Sequence, residues 1–349
     1  MTTFFLNRLA TEPHALAFAG QSTPWPVALA DQTTDPSLDE ALRGHVAAAG
    51  RLLTPVAADL LATTGRPVDL FGFAPNPARL GAAADATASV EGVALTQLGA
   101  LLDLEHLGYS VAQAKPLAVL GHSQGVLAVH MTRAIEAAGS IEAAGKTLNE
   151  ILAVAALIGA AGTRRVRELG LNPKYGEASP MLSVKGATRE QVEALVARVN
   201  NARGPISIAV TNSDNHHVLS GYPEDLAAFA LEAEREHQHQ AKLREQKLHG
   251  GTVFNPTLEY LEVTLPFHSP LMADAVEQTV AWAGACGFDQ KRTRALAEEV
   301  LLNHVDWNAR VKALFDDADP SKLWIVDLGP GNTLGKLIGN VVQGTGIGV

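Results

Sequence analysis

Gly121-His122-Ser123-Gln124-Gly125 sets a serine hydroxyl between two glycines, directly after the apolar run Leu117-Ala118-Val119-Leu120 and before the helix-compatible stretch VLAVHMTRAIEAA. A serine at a sharp strand-to-helix turn is held in a strained backbone that exposes its hydroxyl, and the glycines leave room for the turn and the helix behind it. Such a turn is a nucleophile elbow, and its serine is a candidate nucleophile. The start of that helix supplies N–H groups and a positive dipole end for a developing oxyanion. A serine hydroxyl attacks poorly until a base takes its proton, so a histidine is required. Of the twelve histidines, His268 in Leu265-Pro266-Phe267-His268-Ser269-Pro270 falls where a strand meets a proline-bounded loop, a usual place for functional side chains. His304 and His217 are rivals for that role. His14, His45, His106 and His130 lie in helical or terminal stretches that suit packing or the surface. His122 cannot easily swing back onto its neighbour, so it shapes the turn or meets substrate. In Ala19-Gly20-Gln21-Ser22, after another apolar run, a backbone N–H can join that of Gln124 as a second oxyanion donor.

These residues need a scaffold. Residues 15–19 (ALAFA) and 117–120 (LAVL) read as buried parallel strands, each closed by glycine, and LWIVDLGPG at 323–331 reads as a third, followed by an apolar helix-like stretch from Thr333. Between the first two, 37–64 and 90–107 carry Ala and Leu at helical spacing around a Pro/Gly-rich loop at 65–81. The alternation predicts an α/β layer architecture. From Met181 the rhythm changes: MLSV, a helix after Thr188, ISIAV, a turn at SDN, HHVLSG, a helix after Pro223, and YLEVTL as the last strand. That βαββαβ order is ferredoxin-like. We therefore expect a large, hydrolase-like α/β subdomain with a parallel sheet over 1–179 and 267–349 and an inserted small ferredoxin-like one over 180–266. Arg235 to Gly251 reads as a solvated helix extension plus loop, and its histidines, His237, His239 and His249, have no carboxylate or thiolate at ligand spacing, so no metal is expected.

Composition narrows the classes. The chain has 349 residues, 47% hydrophobic and 18% charged, with a net charge of −10 and no basic stripe, which argues for a folded domain and against nucleic acid as the main partner. The single cysteine, Cys286, allows no internal disulfide and no thiolate cluster, in keeping with a reducing cytoplasm. No run approaches the roughly 18 uninterrupted apolar residues of a bilayer span, and the N-terminal apolar run is too short for a signal peptide, so no membrane role is expected. The ending on GTGIGV, without a polar tail, suggests a domain cut from a longer polypeptide.

FAGQS (18–22), GHSQG (121–125), MLSV (181–184), NHHVLSG (215–221), LPFHSP (265–270), NHVDW (303–307) and VDLGPG (326–331) together resemble, in order and over nearly the whole chain, the family that loads acyl groups from coenzyme A onto acyl carrier protein. The likeness is greatest to the acetyltransferase domain of type I fatty acid synthases of the fungal and actinobacterial kind. The resemblance implies a Ser123–His268 dyad working through an acyl-serine, with coenzyme A thioester as substrate and the phosphopantetheine thiol of acyl carrier protein as acceptor. It implies no permanently bound cofactor, and other fatty acid synthase domains as partners. It further implies that a backbone carbonyl, here that of Asn303, orients the histidine, that the amides of Gln21 and Gln124 form the oxyanion hole, and that His122 and Asn212, the latter in the loop before HVLSG, lie near the acyl group.

Malonyl-specific relatives carry an arginine on the helix after the elbow helix. The register puts Ile158 of ALIGAAG there, although another gap would bring in Arg164 or Arg165, whose ordinary reading is coenzyme A phosphate contact or solvated surface. An apolar residue at that position leaves a malonyl carboxylate unpaired, which favours acetyl or another short unbranched acyl group. Malonyl or palmitoyl transfer is the alternative within the family. Outside it stand a serine esterase or thioesterase, which would need Asp214 or Asp327 as a third member, and a degenerate module kept as scaffold or docking surface.

Overall fold

His14–Phe18 (β1) buries all five side chains, as a strand covered on both faces must. It runs parallel to Ala118–Gly121 (β2) on one side and Trp324–Asp327 (β8) on the other. This is a computed structural model, and it describes residues 9, 11–65, 85–171, 178–200, 205–247, 253–316 and 323–342. The N-terminal apolar run, most of the expected loop at 65–81, His249 and the GTGIGV ending lie outside those residues.

Parallel neighbours need crossovers, and helices supply them. Trp25–Gln32 (α1), Pro36–Leu52 (α2), Ala57–Thr64 (α3), Ala86–His106 (α4) and Val111–Ala114 (α5) separate β1 from β2. The helical stretch expected over 37–64 is broken by a 3₁₀ turn at Thr54–Val56, where Pro55 has no N–H to continue the ladder. After β2 come Val126–Ala138 (α6) and Ile141–Glu168 (α7). By length and composition α7 could cross a membrane, yet 67% of its most apolar window is buried inside the protein. It is a core helix, packed with α4 and α6.

The second sheet is built from Met181–Lys185 (β3), Ser207–Ser213 (β4), His216–Ser220 (β5), Thr257–Tyr260 (β6) and Val305–Asp306 (β7), in the order β6-β3-β5-β4-β7. Its first four strands, all antiparallel, carry Arg189–Asn200 (α8) and Pro223–Glu245 (α9), the ferredoxin-like arrangement. β7 adds to the edge in parallel with β4 and comes from outside 180–266. Alternation along the strands separates two cores. Leu182, Val184 and Leu219 pack under the helices with Leu195, Leu226 and Phe229, while Met181, Val210 and Val218 turn toward the large subdomain.

Two local expectations are corrected. The last strand is Thr257–Tyr260, and most of YLEVTL lies beyond it. After Tyr260 only the Leu261 N–H still bonds to β3, at Met181 O, and Val263, Leu265 and Phe267 leave the sheet to pack in the large core. Asn212 is in strand β4, not in a loop: the strand continues to Ser213, which pairs with His216 across the two residues Asp214 and Asn215. The basic run after Arg235 is the outer part of α9, as far as Glu245. Ala273–Ala285 (α10), Gln290–Leu301 (α11), Trp307–Asp316 (α12) and Thr333–Val342 (α13) complete the described elements.

Candidate active site

β2 ends at Gly121, and Ser123 begins a 3₁₀ turn, Ser123–Gly125, that leads into α6. Ser123 has a φ of 52°, a left-handed conformation that costs a non-glycine residue free energy and marks a residue held for a purpose. A side chain on Gly125 would put its Cβ 2.2 Å from Phe18 O, so only glycine lets the turn lie against β1. Arg310 of α12 donates from Nη1 to Gly121 O at 3.0 Å and ties the same turn to the C-terminal part of the chain.

His268 arrives from a loop far away in sequence and also has a positive φ, 55°. Its Nε2 lies 2.7 Å from Ser123 Oγ, and its Nδ1 lies 2.8 Å from the backbone oxygen of Asn303. A carbonyl only accepts, so Nδ1 carries the proton and Nε2 presents its lone pair to the serine hydroxyl. His268 is 2% exposed. Burial brings its pKa from 6.5 down to about 3, opposed by the Asn303 bond and assisted by His122, His304 and Arg310. At neutral pH it is therefore an unprotonated acceptor already aligned on a hydroxyl.

The Gly20–Gln21 loop lies against this turn. A Cβ on Gly20 would fall 2.7 Å from His122 O, 2.9 Å from Ser123 Cβ and 3.3 Å from Gln124 N. The side chains of Gln21 and Gln124 bond to each other, and Gln124 also bonds to Val90 O on α4. Gln97, fully buried on α4, donates to Ala19 O at 2.6 Å and to Gly329 O at 3.2 Å, joining the ends of β1 and β8 beneath the loop. Neither Gln97 nor Arg310 stands out in the sequence. Gln97 is one of several buried polar residues on α4, with Thr87, Ser89, Glu91 and Thr96, so nothing in the sequence singles it out, and Arg310 gives no hint either.

Ser123 opens onto a cleft of about 820 Å³ between the elbow and the small sheet. Gln21, Ser22 and His122 line one side, Met181, Val210, Asn212 and Val218 the other, and Thr333, Lys336 and Asn340 of α13 the rim. His122 bonds to Asn212 Oδ1 at 2.7 Å and meets Trp307 edge to face, with ring centroids 5.2 Å apart. Burial lowers its pKa.

Ser123, His268, the Asn303 carbonyl, Gln21, Gln124, His122 and Asn212 thus converge. Ile158 is fully buried in α7 and is not among the residues lining the cleft. The next residues of that helix pack Gly159 on Ala86 O and Gly162 on Leu265, three residues before His268. Arg164 is engaged by Glu168 and Gln278, and Arg165 by Leu271 O and Asp274, near the surface. The rival histidines sit elsewhere: His304 bonds to Ile208 O and Thr211, and His217 is buried with its ring on the face away from the cleft. Asp327 accepts from the Gly329 and Gly335 amides, and Asp214 from Lys312 and Asn308. Among the described residues no group of three or more His, Cys, Asp or Glu side chains could hold a metal ion.

The family model described as "Fatty acid synthase central AT domain" matches residues 180–260. The chain is 26% identical over 267 residues to the fatty acid synthase beta subunit TOXC of Cochliobolus carbonum, covering 66% of this chain and 12% of that protein. It is 28% identical over 211 residues to the fatty acid synthase subunit beta of Saccharomyces cerevisiae, covering 53% of this chain and 10% of that one. It spans about a tenth of the length of these relatives. Among solved structures, malonyl-CoA:acyl carrier protein transacylase of Xanthomonas oryzae superposes with a TM-score of 0.62 at 19% identity, over 95% of this chain and 91% of the other. A malonyl-transacylase solved in complex with its type II PKS acyl-carrier protein gives 0.63 at 16%, over 95% and 93%.

Proposed function

We propose that this chain, a member of the acyl-CoA:acyl-carrier-protein acyltransferase family of the fatty acid synthase type, moves a short acyl group, acetyl first, from coenzyme A through an acyl-serine onto the phosphopantetheine thiol of an acyl carrier protein. The observation that carries this reading is the 2.7 Å contact between Ser123 Oγ and His268 Nε2, with the far side of the ring bonded to a backbone carbonyl.

In the first half-reaction Ser123 Oγ forms a bond to the thioester carbon while its proton passes to His268 Nε2. The carbonyl oxygen, now an anion, is held by the Gln21 and Gln124 amides. Collapse breaks the C–S bond, and the imidazolium returns the proton to the departing thiolate. The second half-reaction is the same sequence with the carrier thiol as nucleophile, His268 taking its proton and finally giving it back to Ser123 Oγ. Because the dyad is spent and restored, turnover is ping-pong. Free thiol acceptors compete with water for the acyl-serine, and the cleft gives a pantetheine arm a path to it.

The preference for an uncharged acyl group rests on the cations. Arg164 and Arg165 are engaged near the surface, no arginine lines the cleft among the described residues, and of the two lysines in its lining Lys185 is paired with Glu259 at 3.0 Å and Lys336 stands on α13 at the rim. A malonyl carboxylate beside Met181, Val210 and Val218 would be buried without a fork to bind it, at a cost of several kcal/mol. The remaining domains of a fatty acid synthase, in a cytoplasmic setting, are the natural company of such a unit. Intact-protein mass spectrometry with acetyl-, malonyl-, propionyl- and palmitoyl-CoA in competition tests the reading. A dominant acetyl adduct, absent in Ser123→Ala and discharged by a pantetheine thiol faster than by water, is expected. A dominant malonyl or palmitoyl adduct refutes the acyl preference, and rapid loss to water with no preference for thiol refutes transfer.

A further inference from the structure

Behind His122 a line of polar side chains crosses from the elbow into the small sheet. The Asn212 amide oxygen only accepts, so His122 donates to it from a protonated Nε2. The amide nitrogen of Asn212 then points at His216 Nε2, 3.5 Å away, and Ser183 Oγ lies 3.0 Å from that same ring nitrogen. A nitrogen approached by an amide N–H must offer its lone pair. His216 is therefore neutral with its proton on Nδ1, and Ser183 donates its hydroxyl hydrogen. Ser183, Asn212 and His216 come from β3, β4 and β5 and share the cleft face of the sheet. The charged and titratable groups around His216 are Lys185, which is opposite it in the sheet register, Glu259, His217 and His122. Burial in that setting holds the ring neutral well below pH 6.5.

We propose that His216 is a positioning residue for acyl transfer: its single Nε2 lone pair, shared between the Ser183 hydroxyl and the longer contact from the Asn212 amide, fixes that amide and, through it, the ring of His122 and the orientation of the elbow against the small sheet. The kinetic part rests on the acyl-transfer reading; the geometry does not. An apolar residue at 216 would leave the Asn212 amide free to flip, and the His122 ring would lose its Asn212 acceptor.

Nitrogen-15 NMR of the ring nitrogens tests the geometry without turnover, with His216 expected as the Nδ1–H tautomer and His122 as Nε2–H. Rates of Ser123 acylation test the consequence. His216→Leu should slow acylation by about tenfold, the worth of one hydrogen bond. His216→Gln, which keeps a neutral acceptor, should restore the rate to within about threefold of wild type at an unchanged melting temperature. In a His122→Ala background the leucine substitution should cost less than about twofold, because the group it acts through is gone. If the leucine variant does not fold, Ser183→Ala takes its place with a smaller loss that also vanishes in the His122→Ala background. Either ring in the opposite tautomer, equal rates for the leucine and glutamine variants, or equal losses in both backgrounds would overturn the proposal. A wild-type protein that does not acylate Ser123 would refute the transfer reading instead, and the tautomers would then decide the positioning role alone.

Discussion

Gly20→Ala would drive a methyl group between the Gly20–Gln21 loop and the elbow. The added carbon would sit 2.7 Å from His122 O, 2.9 Å from Ser123 Cβ and 3.3 Å from Gln124 N. Comfortable contacts to carbon are about 3.5 Å, so the loop must withdraw by roughly 0.6 to 0.8 Å. Two of the three obstacles are backbone atoms that no side-chain rotation can clear. Catalytic constellations tolerate about 0.5 Å of error, so Gln21 would lose its place as an oxyanion donor, and one such donor is worth about 10²- to 10³-fold in rate. The overpacking itself should cost about 1 to 3 kcal/mol, small enough for the variant to fold. Gly44→Ala is the control: Gly44 lies inside α2 with nothing within 4 Å of its would-be Cβ, and the change should stabilise by about 0.5 to 1 kcal/mol with no effect on rate. The assay is the rate of acetyl-adduct formation on Ser123 from acetyl-CoA, alongside thermal melts of both variants. A Gly20→Ala protein that acylates within about threefold of wild type would refute the assignment of Gln21 to the oxyanion site.

Three other outcomes follow from the same geometry. His268→Ala should reduce acylation by about 10²- to 10⁴-fold, whereas Asn303→Ala, which keeps the backbone carbonyl, should change it by no more than about threefold; rapid-quench rates that reverse this order would remove the dyad. Because the free-enzyme pKa of His268 lies at about 3, kcat/KM should be level from pH 5 to 8, and an inflection near 6.5 would show a base other than this buried ring. Stability has the opposite appearance. His268, His216, His122 and His217 all have pKa values lowered in the folded state, so between pH 6.5 and those values the unfolded chain binds more protons and folding is disfavoured. Their contribution is full above 6.5 and fades as pH falls toward 4, so urea midpoints should drop across that window in wild type and drop less in His216→Gln.

The elements that act locally were legible in the residues. GHSQG is a strand end, a turn and a helix start within a few positions, and the turn can be recognised without its partners. The order of the ferredoxin-like unit was equally open, because its strands alternate and its helices begin just after Thr188 and at Pro223. What could not be read depends on distant groups. YLEVTL has the apolar content of a strand, but Val263 and Leu265 are drawn into the large core. β7 is two residues long and exists only because β4 offers an edge. Gln97 and Arg310 act on backbone carbonyls far away in sequence, a relation no periodicity records. Ile158 is a different case: its register came from resemblance, and in the structure it is buried in the core on α7 and is not part of the cleft lining.

Asn303 supplies the carbonyl that aims the His268 ring, and the residues directly after it are fastened to the other lobe: His304 to Ile208 O at 3.0 Å, Val305 and Asp306 to β4 as a strand. A swing of the small lobe would therefore pull on the same short tether that sets the imidazole. The width of the acyl channel and the aim of its base are mechanically one variable, so a substitution that pries the lobes apart would blunt proton transfer even if it touched neither Ser123 nor His268.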